Sequence, residues 1–125
     1  MGTATTIIVL DKTGAMVGGA IAPGVAISMN ALSDKCALLP ASSFGAPRSI
    51  IGRSTDECIR SGVVLGSASM LDGMIDKIEE ELGTKCTVIA TGGIAADIVP
   101  SCLHEIILRD DLILQGLKII YDKNR

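Results

Sequence analysis

The strongest constraint on the fold is one long helical pattern in the middle of the chain. Apolar residues recur there at three- and four-residue spacings, which places them on one face of a helix. They are Val64, Ala68, Leu71, Ile75, Ile78 and Leu82. Ser54 and Glu57, which precede them, have the S-x-x-E spacing of a capping box, and Gly83 is a typical helix end. We therefore predict a long helix between Ser54 and Gly83.

A second stripe on this helix consists of small residues. Its members are Gly62, Gly66, Ser69 and Gly73. An interior glycine costs a helix about 1 kcal/mol relative to alanine, so three of them on one face need a compensating role. We expect them to let another backbone come close, and that backbone belongs either to the protein's own sheet or to a second subunit.

Two strand-like segments joined by a tight turn open the chain. Residues 3–10 are rich in β-branched types, a turn follows at Gly14, and residues 16–22 return as a second strand. Gly18 and Gly19 interrupt the returning strand. They predict a bulge, or a close approach by another backbone or a ligand.

The remaining segments alternate between helix and strand. A first helix is expected from Pro23, which suits a first helical turn, to Pro40, and its apolar stripe is Val25, Met29, Leu32 and Cys36. After Gly83 the pattern predicts a strand at 87–90, a short helix at 94–99, a strand at 105–108 and a last helix that starts at Asp110 and Asp111. This order favours an α/β domain in which helices pack on a mixed sheet.

Composition narrows the classes of function. The 125 residues fit one domain, with one Phe, one Tyr, no Trp and a net charge of -3. Neither stacking platforms nor a basic footprint for nucleic acid is present. No apolar run approaches the ~20 residues that span a bilayer, and we see no signal-peptide pattern. With four scattered cysteines, no C-x-x-C and one histidine, a zinc site is not expected. We interpret the thiols as small buried residues in a reducing cytosol.

Two glycine-containing segments could bind a ligand. Gly2 and the threonines of residues 3–6 can offer N–H and O–H donors to phosphate oxygens, although an exposed threonine-rich strand is the alternative. Gly92 and Gly93 follow a short strand and precede a helix. Paired glycines there let a flat ligand lie on bare backbone, or they simply form a tight turn.

Other polar residues have plainer explanations. Ser54 suits a helix N-cap, so the neighbouring Thr55 hydroxyl is free to face a ligand. Asp72 and Asp76 lie one helical turn apart and are expected to be solvated. His104 is interpreted as a loop residue.

Taken in order, these segments resemble type III pantothenate kinases. The matching stretches are G-T-A-T-T at 2–6, G-G-A-I-A-P-G at 18–24, I-G-R-S-T at 51–55, A-T-G-G at 90–93 and D-D-L-I-L-Q-G-L at 110–117. The resemblance covers the chain but only the C-terminal half of such an enzyme. It implies that residues 1–125 are a single domain, and that the N-terminal domain is absent.

The resemblance also implies a fold, an activity and a setting. The fold is a ribonuclease H-like domain of the acetate and sugar kinase, heat-shock and actin superfamily. The activity is ATP-dependent phosphorylation of pantothenate to 4'-phosphopantothenate in coenzyme A synthesis. Members are cytoplasmic homodimers that need Mg²⁺ and a monovalent cation, K⁺ or NH₄⁺.

The family's functional residues transfer to a few positions. The phosphate-contacting threonine falls on Thr3, with Gly2 and Thr5 beside it in the ATP-binding strand. The glycine pair near the adenosine falls on Gly92 and Gly93, and a pantothenate-contacting threonine, contributed across the dimer, falls on Thr55.

Other parts of the family's site have no counterpart in the sequence. The cation-binding aspartate, the first phosphate loop and the general base are missing. The resemblance therefore implies a partial enzyme that is inactive alone. The alternative is a non-catalytic regulatory or interaction protein of the Bvg accessory factor type.

Overall fold

The computed structural model describes all 125 residues, and it alternates strands and helices as expected. The elements are β1 (Ala4–Leu10), β2 (Met16–Pro23), α1 (Val25–Lys35), α2 (Thr55–Arg60), α3 (Gly66–Leu82), β3 (Val88–Ala90), α4 (Ala95–Ile98), β4 (Ile106–Leu108) and α5 (Leu112–Lys123). A π-helical turn, Ser61–Leu65, joins α2 to α3, and a 3₁₀ turn, Val99–Ser101, follows α4. The mixed α/β class is confirmed.

The strands form two separate pairs rather than the one mixed sheet that we predicted. β1 and β2 are antiparallel, whereas β3 and β4 are parallel. The register of the first pair shifts at Val17, between the pairs Val9–Gly18 and Leu10–Met16. This is the expected bulge. Gly19 also meets the expected close approach, since a Cβ there would lie within 3.0 Å of the Ile7 carbonyl oxygen.

The hydrophobic core is helical. It consists of Val25, Met29, Ile59, Val63, Val64, Ala68, Leu71 and Ile98, which come from α1, α2, the π turn, α3 and α4. The predicted stripe packs inward from Val64 to Ile75, whereas Leu82 at its end is 39% exposed. α5, in contrast, buries none of its residues although its sequence is amphipathic. None of the helices combines the length and apolar character that crossing a lipid bilayer requires.

The helix boundaries follow most of the expected signals. Gly83 ends α3 in the left-handed conformation at φ 67°. α1 differs, because Pro23 is the last residue of β2 and Gly24 is the N-cap. α1 also ends at Lys35, before the expected stop at Pro40.

The glycines of the small-residue stripe have open space where a side chain would be. A Cβ built at Gly62, Gly66 or Gly73 would find no atom within 4 Å. The protein's own sheet is therefore not the partner that we considered for this face.

Candidate functional site

The first candidate region forms where β1 begins beside the N-terminus of α1. The Gly24 N–H donates a hydrogen bond to the Thr3 carbonyl oxygen at 3.1 Å. A Cβ at Gly24 would lie within 3.0 Å of the carbonyl oxygens of Gly2 and Thr3. The two backbones can meet only because residue 24 has no side chain.

The turn between β3 and α4 reaches the same region through Met1. The Met1 amine donates to the Thr91 carbonyl oxygen at 2.6 Å across 90 positions of sequence. Gly92 has φ 109°, and a Cβ there would meet the Met1 backbone within 3.0 Å. We call Gly2, Thr3, Gly24 and Gly92 the glycine edge.

The glycine edge is open to solvent, but the Gly2 N–H is not a free donor, because it already donates to the Ala4 carbonyl oxygen at 3.1 Å. Gly2, Thr3 and Gly93 are exposed, and the space beside Gly2 and Gly93 is open. The Thr3 hydroxyl has no hydrogen-bond partner within the chain. Thr5, in contrast, is only 4% exposed. Four of the five residues predicted to bind ATP thus lie along one surface or beside it, and Thr5 lies beneath.

The start of α2 is capped without Thr55. The Ser54 hydroxyl accepts a hydrogen bond from the Glu57 N–H at 3.2 Å, and the Glu57 carboxylate accepts one from the Arg53 N–H at 2.9 Å. The predicted N-cap is confirmed. In a regular capping box the Glu57 carboxylate would accept from the Ser54 N–H, but here it accepts from Arg53, the residue before the cap. Thr55 is exposed, and its hydroxyl has no partner in the chain.

Thr55 borders a largely apolar cavity of about 330 Å³. The lining residues, which we call the Thr55 pocket, are Leu32, Leu39, Thr55, Cys58, Ile59, Gly62 and Val63. This volume lies at the lower end of the range of small-molecule sites, roughly 300–1,000 Å³. A mostly apolar lining with one free hydroxyl suits a small ligand that has both alkyl and polar groups.

The two regions lie towards opposite ends of α1. Gly24 precedes the helix at the glycine edge, and Leu32 borders the Thr55 pocket. Eight residues of α-helix rise about 12 Å. α1 therefore separates the regions by a distance that one extended small ligand, or two ligands in contact, could bridge.

Sequence reasoning missed the role of the acidic side of α3. Asp72, expected to be solvated, is only 8% exposed. Its carboxylate accepts hydrogen bonds from the backbone N–H groups of Leu103 at 2.8 Å and His104 at 3.0 Å. His104, in turn, lies 2.8 Å from Asp76, Nε2 to Oδ1. Asp72 directly follows the buried Leu71 and so lies at the border of the apolar stripe. This position was the one sequence signal that could have indicated its burial.

Glu79 connects the end of α3 to the segment that follows. It accepts hydrogen bonds from the Cys86 N–H at 2.9 Å and from Lys85 Nζ at 2.6 Å. These bonds, the backbone bond first, lower the pKa of Glu79. The same contact raises the pKa of Lys85.

The cysteines are less buried than predicted. All four are free thiols, Cys58 is exposed, and the other three are half-buried. The prediction was wrong for Cys58 because it faces the open Thr55 pocket. Burial, with a smaller contribution from the charge of Asp72, raises the pKa of Cys102 to about 11.

Comparisons with known proteins agree on one family. The sequence profile described as type III pantothenate kinase matches residues 1–77. The chain is similar to a type III pantothenate kinase of Dehalococcoides mccartyi, with 43% identity over 125 residues, and to one of Rhodospirillum rubrum, with 43% over 124. These matches cover 100% and 99% of the chain and 48% of each relative. The chain thus spans about half the length of the curated relatives it matches.

A solved structure has a similar fold. It is a Campylobacter jejuni protein described as a Baf family transcriptional activator, with a TM-score of 0.66 and 23% sequence identity. The match covers 98% of this chain and 55% of that protein. At this identity, the likeness shows a shared fold.

Proposed function

Because the chain belongs to the type III pantothenate kinase family, we propose that it forms one side of an ATP-dependent pantothenate kinase site. The reaction would yield 4'-phosphopantothenate for coenzyme A synthesis. The observation that carries the proposal is the convergence of Gly2, Thr3 and Gly92 on one edge. Gly2 and Thr3 belong to one segment and Gly92 to another about 90 positions later, and both segments were predicted to contact ATP.

We assign the phosphates of ATP to the glycine edge. The exposed Thr3 hydroxyl, which has no partner in the chain, offers a donor, and the space beside Gly2 is open. Phosphoryl transfer depends on placing such donors where negative charge develops. Gly93, with open space beside it, would let the adenosine approach the backbone, and the buried Thr5 would support the strand.

We assign pantothenate to the Thr55 pocket. Pantothenate combines a branched alkyl group with hydroxyl, amide and carboxylate groups. The apolar lining of the pocket suits the alkyl part, and the free Thr55 hydroxyl can bond a polar group. Ser54 already caps α2, so Thr55 is available for this contact.

The cations of the family do not fit the glycine edge on its own. Mg²⁺ and a monovalent ion such as K⁺ or NH₄⁺ prefer oxygen ligands, and Mg²⁺ sites usually include a carboxylate. None of the edge residues Gly2, Thr3, Gly24 and Gly92 carries one. We therefore assign no step to either ion, and place the carboxylates for cation binding and base catalysis outside these residues.

We further propose that the chain is the ribonuclease H-like C-terminal domain of a two-domain cytoplasmic enzyme. The amphipathic α5 supports a larger assembly, because its apolar residues find no cover within the chain. The small-residue stripe supports a homodimer, because a Cβ at Gly62, Gly66 or Gly73 would meet no atom of the chain within 4 Å.

Light scattering of Gly66→Leu tests the homodimer. The new side chain enters open space in the monomer, so we expect an intact fold and loss of an interface that buries upwards of ~1,000 Å². A variant that stays dimeric and stable would contradict this role of the stripe.

A chimera tests the two substrate assignments separately. In it, this chain replaces the matching half of the Dehalococcoides mccartyi relative, and ADP release is followed against ATP and pantothenate. Thr55→Ala should raise the pantothenate KM roughly 2- to 12-fold, the effect of one hydrogen bond, and leave the ATP KM unchanged. Thr3→Ala should lower kcat by about 10²–10³.

Thr84→Ala is the matched control, because Thr84 is exposed after the end of α3, outside both regions. An unchanged pantothenate KM in Thr55→Ala, together with a lower melting temperature, would assign Thr55 to the helix start instead. The regulatory alternative of the Bvg accessory factor type predicts no pantothenate-dependent ADP release in any of these proteins.

A further inference from the structure

Three side chains of types that can bind a metal ion form a cluster outside the glycine edge and the Thr55 pocket. Asp76 and Glu79 lie one turn apart on α3, and His104 faces them from the segment before β4. One donor atom from each lies within 4.8 Å of the other two. We propose that Asp76, Glu79 and His104 bind a divalent transition-metal ion such as Zn²⁺.

The donor set favours this class of ion. One imidazole nitrogen and two carboxylate oxygens suit Zn²⁺, Co²⁺ or Ni²⁺ better than Mg²⁺ or Ca²⁺, which prefer oxygen alone. Zinc bonds to such donors measure about 2.0–2.2 Å, so a tetrahedral ion holds them about 3.4 Å apart. His104 Nε2 lies 2.8 Å from Asp76 Oδ1, and all three donors lie within 4.8 Å of one another, so side-chain rotation would have to bring them to this separation.

Two of the three ligands are held in place by neighbouring groups. One Glu79 oxygen accepts the Cys86 N–H at 2.9 Å, which leaves the other oxygen for a metal. The His104 backbone is fixed by its bond to the buried carboxylate of Asp72. Such outer contacts orient the ligands, and their loss typically lowers metal affinity about 10- to 100-fold.

Lys85 competes with the ion for Glu79. Its ammonium lies 2.6 Å from Glu79 Oε2, but the side chain is 85% exposed and free to swing away. The bound ion would join α3 to the segment before β4, in place of the direct His104–Asp76 contact. Its role would be to stabilise the fold.

Titration of the protein with Co²⁺ and Zn²⁺ tests the site. We expect saturable binding, a melting temperature that rises with Zn²⁺ and falls back with EDTA, and no thiolate-to-cobalt charge-transfer band. His104→Gln keeps a hydrogen-bond donor near Asp76 but removes a metal ligand. It should weaken metal binding more than about 100-fold, which is more than the loss of a residue that only orients a ligand would cause. Asp76→Asn should act in the same direction, and Asp97→Asn, on exposed α4 surface, is the matched control.

Lys85→Gln gives a test of opposite sign. Removing the competing ammonium, which is exposed although Glu79 is not, should tighten metal binding by up to about fivefold, as for an ion pair at the surface. The proposal is overturned if the parent protein shows no saturable binding. It is also overturned if His104→Gln and Asp76→Asn bind as the parent does, or if a thiolate band accompanies binding and thus places the ion on cysteine.

Discussion

The glycine edge and the Thr55 pocket are built by different means. At the edge, backbone meets backbone, and Gly24 and Gly92 are required because any side chain would overlap a neighbouring main chain. At the pocket, side chains from α1 and α2 leave a cavity between them. The edge should therefore tolerate almost no change at its contact glycines. The pocket should tolerate substitution with graded effects on binding.

The largest effect that separates the two regions is expected for Gly24→Ala. Its Cβ would meet two backbone oxygens within 3.0 Å, and overpacking of this kind costs about 1–3 kcal/mol, occasionally more. We expect the upper part of that range, measured as the free energy of unfolding in urea.

Gly93→Ala is the matched control, because a Cβ at Gly93 meets no atom within 4 Å. Its effect should stay within about 0.5 kcal/mol, as for ordinary surface positions. If Gly24→Ala and Gly93→Ala lowered the free energy of unfolding equally, Gly24 would be no more required by its contacts than Gly93.

A smaller effect distinguishes Ser54 from Thr55. Ser54→Ala removes the helix cap and should lower the free energy of unfolding by about 1 kcal/mol. Thr55→Ala should leave stability nearly unchanged, because its hydroxyl has no partner in the chain. If Thr55→Ala destabilised the protein as much as Ser54→Ala, Thr55 would belong to the helix start and not to the pocket.

Local signals explain what the sequence predicted well. The Ser54 cap, the left-handed Gly83 and the strand bulge beside Gly18 each depend on a few neighbouring residues. The core stripe of α3 follows from helical periodicity alone. The π turn was not predicted, because widening one turn leaves the apolar spacing on either side almost unchanged.

Contacts between distant residues explain what was missed. Splitting into two strand pairs depends on which strands meet, and no local pattern encodes that pairing. The burial of Asp72 depends on backbone N–H groups at Leu103 and His104, more than thirty positions later. For the site, the family resemblance supplied Thr3 and Thr55, but it did not reveal that Gly24 supports the edge.

The measurement that tests the central claim most directly is pantothenate-dependent ADP release by the 125-residue chain and by the chimera. The account predicts no turnover from the chain alone, because its glycine edge supplies the Thr3 hydroxyl but no carboxylate for base catalysis or cation binding. The chimera should turn over, and Thr3→Ala should remove most of its activity. Turnover by the chain alone that rises with pantothenate and is lost in Thr3→Ala would contradict the account, since a complete site would then lie within these residues.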